Sequence, residues 1–209
     1  MVNIMRILNL FSGTGSVEKQ LRPDDECVSL DISNEFYQPT IQTDIMNWDY
    51  ESSFDVGHFD VIICAPPCTH YSKLRDICKT KNPPDIELAN SIVQRTLEII
   101  DYFQPTFWFM ENPDNGTLKH QPFMKGLPYT RASQCHYGRD WRKTTRFWTN
   151  NEHFKPKVCN KGDCGKTVGR RHVANVGGNR QNWPLELKYS WPPALVRELL
   201  NSCRTVCAT

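Results

Sequence analysis

Residues 5–16 read MRILNLFSGTGS: a short apolar run, then a loop whose Gly13 and Gly15 permit a tight turn and a close approach of backbone to a ligand. Residues 17–21 (VEKQL) read as the start of a helix. Strand, glycine turn and helix open a βαβ unit, and that unit decides how the rest of the chain is read. In an open α/β sheet, ligands bind outside the carboxyl ends of the strands. Each residue that closes a strand therefore becomes a candidate for the site.

Working outward, residues 27–30 (CVSL) form a second strand that closes on Asp31, and a weaker element over 41–44 closes on Asp44. The β-branched run 59–64 (FDVIIC) is a buried strand. Residues 106–110 (TFWFM) form another, closing on Glu111-Asn112-Pro113, and further strands recur near 130–134 and 145–149. Between them, 87–103 carries Leu88, Ile92, Leu97, Ile100 and Phe103 at helical spacing and stops at Gln104-Pro105. A last helix over 193–201 begins with Pro193. This alternation predicts an α/β domain with a mostly parallel sheet flanked by helices. Three parts are expected: a core over 1–150, a small basic lobe over 151–188, and a C-terminal helix over 189–209 that returns to the core.

The 209 residues suffice for one sizeable core. No apolar run approaches the roughly 20 residues that span a bilayer, so no membrane association is expected. The N-terminus reads as a first strand and not as a signal peptide. Nine scattered cysteines point to reduced thiols in a cytoplasmic compartment. The net charge of +2 hides an asymmetry: residues 139–188 hold twelve Lys and Arg against four acids, a local +8, and the rest carries −6. Such one-sided charge suggests a polyanion partner.

The strand-end residues have individual chemistries. Asp31 suits the diol of a ribose, as acids after a second strand do in nucleotide-binding folds, or it caps a helix. Asp44 suits an adenine amino group or a cap. In CAPPCTHYS, residues 64–72, two prolines stiffen the chain just before Cys68. This is either a strand stopped by proline beside a packed thiol, or a nucleophile held still. Glu111 closes a very apolar strand, so its charged form is disfavoured and it can hold a proton near neutrality, as general acids do.

In chain order, Phe11-Ser12-Gly13-Thr14-Gly15, Asp31, Thr43-Asp44-Ile45, Pro66-Pro67-Cys68-Thr69-His70-Tyr71-Ser72, Glu111-Asn112-Pro113 and Arg146-Phe147-Trp148 resemble the motifs of the cytosine-C5 DNA methyltransferases. The match covers roughly residues 5–150, and the compact length is similar to phage- or virus-encoded members. The resemblance implies a Rossmann-like class I methyltransferase fold and S-adenosyl-L-methionine as cofactor, with Phe11, Gly13, Thr14, Gly15, Asp31, Ile32, Asp44, Ile45 and Pro66 around it. It implies Cys68 as the nucleophile fixed by Pro67, Glu111 with Asn112 on the base, and Arg146 near the base O2. The partner it implies is duplex DNA with a flipped cytosine, bound by a protein expected to be a monomer in a bacterial or virus-infected cell. Lysines and arginines of the loop after Cys68 (Lys73, Arg75, Lys79 and Lys81) would contact that DNA.

Departures from the family pattern are concentrated late in the chain. Pro113 stands where valine is usual, Arg142 where glutamine is, and Thr144 where the first arginine is. The target-recognition region is reduced to the basic lobe, and Ser190-Trp191-Pro192-Pro193 is a reduced counterpart of the last motif. RNA (tRNA) or free cytidine nucleotides as substrate, another electrophile, and a catalytically silent relative remain alternatives. In the lobe, Cys159 and Cys164 with His153 and His172 form a four-ligand set that could hold zinc, or the cysteines are ordinary thiols. Trp141 and Trp183 either stack on bases or pack.

Overall fold

Residues 4–72, 83–160, 162–169, 171–174 and 183–204 are described by a computed structural model. Its central strands are apolar on both faces, so the sheet has to be covered twice. Seven strands form it: β1 (Arg6–Leu10), β2 (Glu26–Asp31), β3 (Ile41–Gln42), β4 (Val61–Cys64), β5 (Phe107–Pro113), β6 (Tyr129–Ser133) and β7 (Thr144–Thr149). Their order is β3-β2-β1-β4-β5-β7-β6. The first five are parallel, and β7 and β6 return antiparallel. The expected mostly parallel α/β sheet is what forms.

Alternation along the strands builds two cores. Leu8, Ile62 and Met110 pack on one face, and Ile7, Ile63 and Phe109, their sequence neighbours, on the other. The first face is covered by α2 (Ile86–Phe103), preceded in the chain by a single turn, α1 (Tyr50–Ser53). Asp85 caps α2, its Oδ1 accepting from the Leu88 amide at 2.9 Å. Its buried face runs through Ala89, Val93, Thr96, Ile99, Ile100 and Phe103, while Leu88 is exposed. The second face is covered by α4 (Pro193–Arg204), which returns to the core and buries Leu195, Val196, Leu199 and Leu200. Among the described residues no helix is long and apolar enough to cross a membrane.

Two local expectations are corrected. Residues 17–21 form only a short 3₁₀ turn, Glu18–Gln20, because Glu18 is held by Asn9 of β1 at 2.7 Å and the chain drops into β2. β5 does not end at Met110 but runs to Pro113, because β7 pairs with it through Glu111, Asn112 and Pro113. The stretch 151–188 holds, among the described residues, a hairpin of β8 (Thr167–Val168) and β9 (Arg171–His172) and the short α3 (Leu185–Tyr189).

Candidate active site at the strand ends

The turn after β1 is unusually bent: Phe11, Gly13 and Gly15 have φ of 62°, 54° and 65°. A left-handed Phe costs of order 1 kcal/mol or more, so the loop is held in that shape by other contacts. The Phe11 and Ser12 amides both donate to the Leu30 carbonyl of β2, at 2.8 and 3.1 Å. Asp31, the last residue of β2, accepts from the Gly13 amide at 2.8 Å with Oδ2 and from Ser33 at 2.9 Å with Oδ1. A Cβ on Gly15 would stand 2.5 Å from the Tyr37 ring. This is a shaped cradle, and the Ser12 Oγ within it is buried without a hydrogen-bond partner. A small cavity here is lined by Phe11, Gly13 and Thr14 together with Phe36, Tyr189 and Trp191.

Other residues expected in the cofactor site are distributed differently. Ile32 is 67% exposed beside Asp31, which leaves an apolar surface open to a planar ligand. Asp44 caps a 3₁₀ turn, accepting from the Met46 amide at 3.0 Å. Ile45 is a core residue, because that turn drives its side chain inward against the α2 face of the sheet. Pro66 is buried, and its carbonyl accepts from Asn112 Nδ2 at 3.0 Å. That bond ties the loop after β4 to the end of β5.

A second, larger cleft of about 600 Å³ opens beyond that tie, with Cys68, Ser72, Asn112, Asp114 and Thr144 in its wall beside Lys119, Arg131, Arg142 and Lys143. Pro67 is exposed, and Cys68 begins a 3₁₀ turn over Thr69–Tyr71. Cys68 keeps solvent access, yet the protein massed around its thiol raises the pKa. Glu111 adds to that rise, and Lys143 opposes it.

Glu111 is buried beside this wall, and Thr145 Oγ1 donates to its Oε1. Desolvation pushes its pKa up to about 7, with Lys143 pulling the other way. Arg146 is not in the wall. Its Nε donates to Asp114 Oδ1 at 3.0 Å, and its guanidinium lies 3.7 Å from the centre of the Tyr129 ring. Asp114 also pairs with Arg131 at 3.6 Å and Lys119 at 3.9 Å.

Sequence reading missed Lys143, Asp114 and Thr145 as site residues. Asp114 directly follows Glu111-Asn112-Pro113, and Lys143 was counted only as lobe charge. Thr145 carried no signal, because its role depends on β7 pairing with β5. Trp141 and Trp183 pack on each other with ring centres 5.0 Å apart, Trp141 being buried. The basic residues of the loop at 73–81 lie outside the described residues.

Three comparisons bear on the chain. No family model matches it. It is similar in sequence to a protein of Frog virus 3 (isolate Goorha) named "Probable DNA (cytosine-5)-methyltransferase", at 37% identity across 95% of this chain and 100% of that one. In fold it is similar to a crystal structure described as a "putative DNA modification methyltransferase encoded within prophage" of E. coli, with a TM-score of 0.50 and 18% identity over 75% of this chain. The match takes in 52% of that structure, so this chain spans about half its length.

Proposed function

The chain belongs to the DNA (cytosine-5)-methyltransferase family, and from that premise we propose that it methylates C5 of cytosine in duplex DNA through a covalent bond between Cys68 and C6. The observation that carries this reading is Glu111, a buried carboxyl with its pKa near 7 that shares an electrostatic environment with the Cys68 thiol.

The chemistry follows from cytosine. C5 is too weak a nucleophile to take a methyl group unaided, and addition of a thiolate to C6 makes it one. Cys68 starts protonated and gives its proton to solvent as the base enters, with Lys143 as the counter-charge. Glu111, near its midpoint at neutral pH, releases Thr145 and protonates N3 as the sulfur attacks. Methylated C5 then loses its own proton to solvent water, the C5–C6 double bond re-forms as the thiolate leaves, and N3 returns its proton to Glu111. Asn112 holds the loop that carries Cys68 in place. Arg146 fixes Asp114 and adds positive charge behind the wall.

S-adenosyl-L-methionine, when bound, supplies an electrophilic methyl group. The left-handed loop, the unpartnered Ser12 hydroxyl and the exposed Ile32 fit its nucleoside, and lone pairs of Asp31 not taken by Gly13 and Ser33 fit the ribose diol. A target base can reach Cys68 only after flipping out of the duplex. The cations at the cleft suit the flanking phosphates. We take residues 1–150 as the catalytic part, 151–188 as the lobe that helps hold DNA, and 189–209 as the returning segment. We take the protein to act as a monomer in a reducing cytoplasm.

Duplex DNA carrying 5-fluorocytosine tests the chemistry, because fluorine cannot leave C5 and the adduct is trapped. With labelled cofactor, the wild type should give a denaturation-resistant protein–DNA adduct and Cys68→Ala none. An adduct on RNA alone would move the substrate to RNA. No adduct on either polymer, with cofactor still binding, would mark the protein as silent.

A further inference from the structure

Outside the catalytic cleft, Cys135, Cys159, Cys164 and His172 bring their ligand atoms within 4.8 Å of one another. Cys159 Sγ lies 3.6 Å from Cys164 Sγ and 3.5 Å from His172 Nε2, and Cys164 Sγ lies 3.3 Å from the same nitrogen. A tetrahedral zinc with ordinary Zn–S and Zn–N bonds has S···S edges of about 3.8 Å and S···N edges of about 3.5 Å. The three sides of this cluster are close to those edges, whereas a disulfide needs about 2.0 Å.

We propose that these four side chains bind one structural zinc ion in a closed Cys₃His site that staples the basic lobe to the core. The local folding supports it. Cys159 and Cys164 flank a tight turn closed by the Asp163 amide on Asn160 (3.1 Å) and the Gly165 amide on Gly162 (2.9 Å), with Gly162 and Gly165 left-handed. His172 is presented by the β8–β9 hairpin, opposite Thr167. Cys135 comes from the 3₁₀ turn that follows β6 in the core. The ligands thus belong to three separate segments of the chain. On binding, the three thiols release their protons and the centre carries one net negative charge.

His153 of the sequence-derived set does not join. It is exposed, and its amide is held by Asn151 Oδ1 at 2.9 Å, on the far side of the turn at Phe154. Cys135 takes its place. His136 and Asp163, which also approach Cys159, already pair with each other at 3.0 Å. The site bears on catalysis indirectly. Arg142 of the cleft wall donates to the Cys159 carbonyl at 3.3 Å, and Val158 lines the same wall.

The test is metal content and ligand count on the full-length protein, purified without chelator or added metal. One zinc per chain is expected, with three sulfurs and one nitrogen in its X-ray absorption spectrum. His153→Ala should keep the zinc and Cys135→Ser should lose most of it. Chelation should lower Tm by about 10 °C or more and weaken DNA binding while cofactor binding persists. The absorption spectrum reads the ligand set in the wild type, so a variant that fails to fold does not block the test. Metal-free protein as purified, a shell of two sulfurs and two nitrogens, or a Cys159–Cys164 disulfide found by mass spectrometry would each overturn the proposal.

Discussion

The strand-end core and the basic lobe hold their functional groups by different means. In the core, backbone bonds position the site: Phe11 and Ser12 on Leu30, Tyr71 on Cys68, Thr117 on Tyr71. Glu111 and Asn112 sit in a strand that pairs with β4 up to Met110 and are themselves paired with Phe147 and Arg146 of β7. In the lobe, among the described residues, pairing amounts to two residue pairs between β8 and β9 and one bridge from Ala174 to Trp141, and Val168 and Val173 are left exposed at 74% and 50%. Besides the Ser133 amide on the Lys157 carbonyl at 2.9 Å, most of what attaches it is side chains: Lys166 Nζ on the Gly138 carbonyl, the Tyr137 hydroxyl accepting from the Lys157 amide, and the Cys/His cluster. A site that does bond-making chemistry is built where the sheet over-determines position. A surface that meets a long polyanion tolerates a looser scaffold.

The largest expected difference between the regions is in turnover. Cys68→Ala should lower the methylation rate by about 10⁴-fold or more, with cofactor affinity unchanged. Lys155→Ala should leave the rate at saturating DNA within a few-fold. Single-turnover assays on both variants check this, and a surviving rate in Cys68→Ala would remove it from the chemistry.

Glu111 comes next. Glu111→Gln should cost roughly 10²–10⁴-fold in rate, and a titrating limb above pH 7 present in the wild type should vanish. The same group makes a stability prediction. Its folded pKa, about 7, lies above the ordinary value of 4.5. Between those values the folded state holds a proton that the unfolded chain has lost, so stability is full below pH 4.5 and falls as pH rises through 7. The loss approaches roughly 3 kcal/mol. Denaturant titrations at pH 5 and pH 8 should show it in the wild type and not in Glu111→Gln. Equal pH slopes would mean the carboxyl is not desolvated.

These two residues were legible in the sequence because topology alone puts them together. Once residues 5–16 open a parallel sheet, every strand end falls on one edge, and Cys68, Glu111 and Asp31 are collected there whatever the side chains do. The misses have the opposite origin. Thr145 meets Glu111 only because β7 turns back against β5, and Cys135 meets Cys159 only because the lobe folds over the end of β6. Ile45 follows a candidate aspartate in the motif, but the 3₁₀ turn rotates it into the core. Arg146 reads as a base contact, yet Asp114, just past the end of β5, accepts from its Nε at 3.0 Å and holds it out of the cleft lining. Contacts made by antiparallel return and by loop closure leave no period in the sequence.

The cleft wall of the core that is proposed to hold DNA is tested by salt. Four cations line the cleft, Lys119, Arg131, Arg142 and Lys143. If each neutralises one phosphate, DNA affinity should fall roughly 100-fold between 50 and 200 mM salt. Removing one of them, as in Arg131→Ala, should lower the slope of log K against log salt by about one. A flat salt dependence would sink the assignment of this wall to DNA.

The smallest effect separates backbone conformation from space. Gly15 in the core and Gly169 in the lobe are both left-handed, at 65° and 61°. Alanine at either pays the backbone cost of that conformation, about 1 kcal/mol. At Gly15 the added Cβ also meets the Tyr37 ring at 2.5 Å, whereas at Gly169 nothing lies within 4 Å. Tyr37 is half-buried against this loop, so its ring or the loop has to shift to admit the added atom. Gly15→Ala should therefore be the more destabilising by about 1–2 kcal/mol, and it should weaken cofactor binding as Gly169→Ala does not. Paired denaturant titrations with cofactor calorimetry measure both. Equal costs at the two positions would show that the core loop relaxes as freely as the lobe, and the contrast between a sheet-held site and a side-chain-held surface would fail at the place where it is easiest to see.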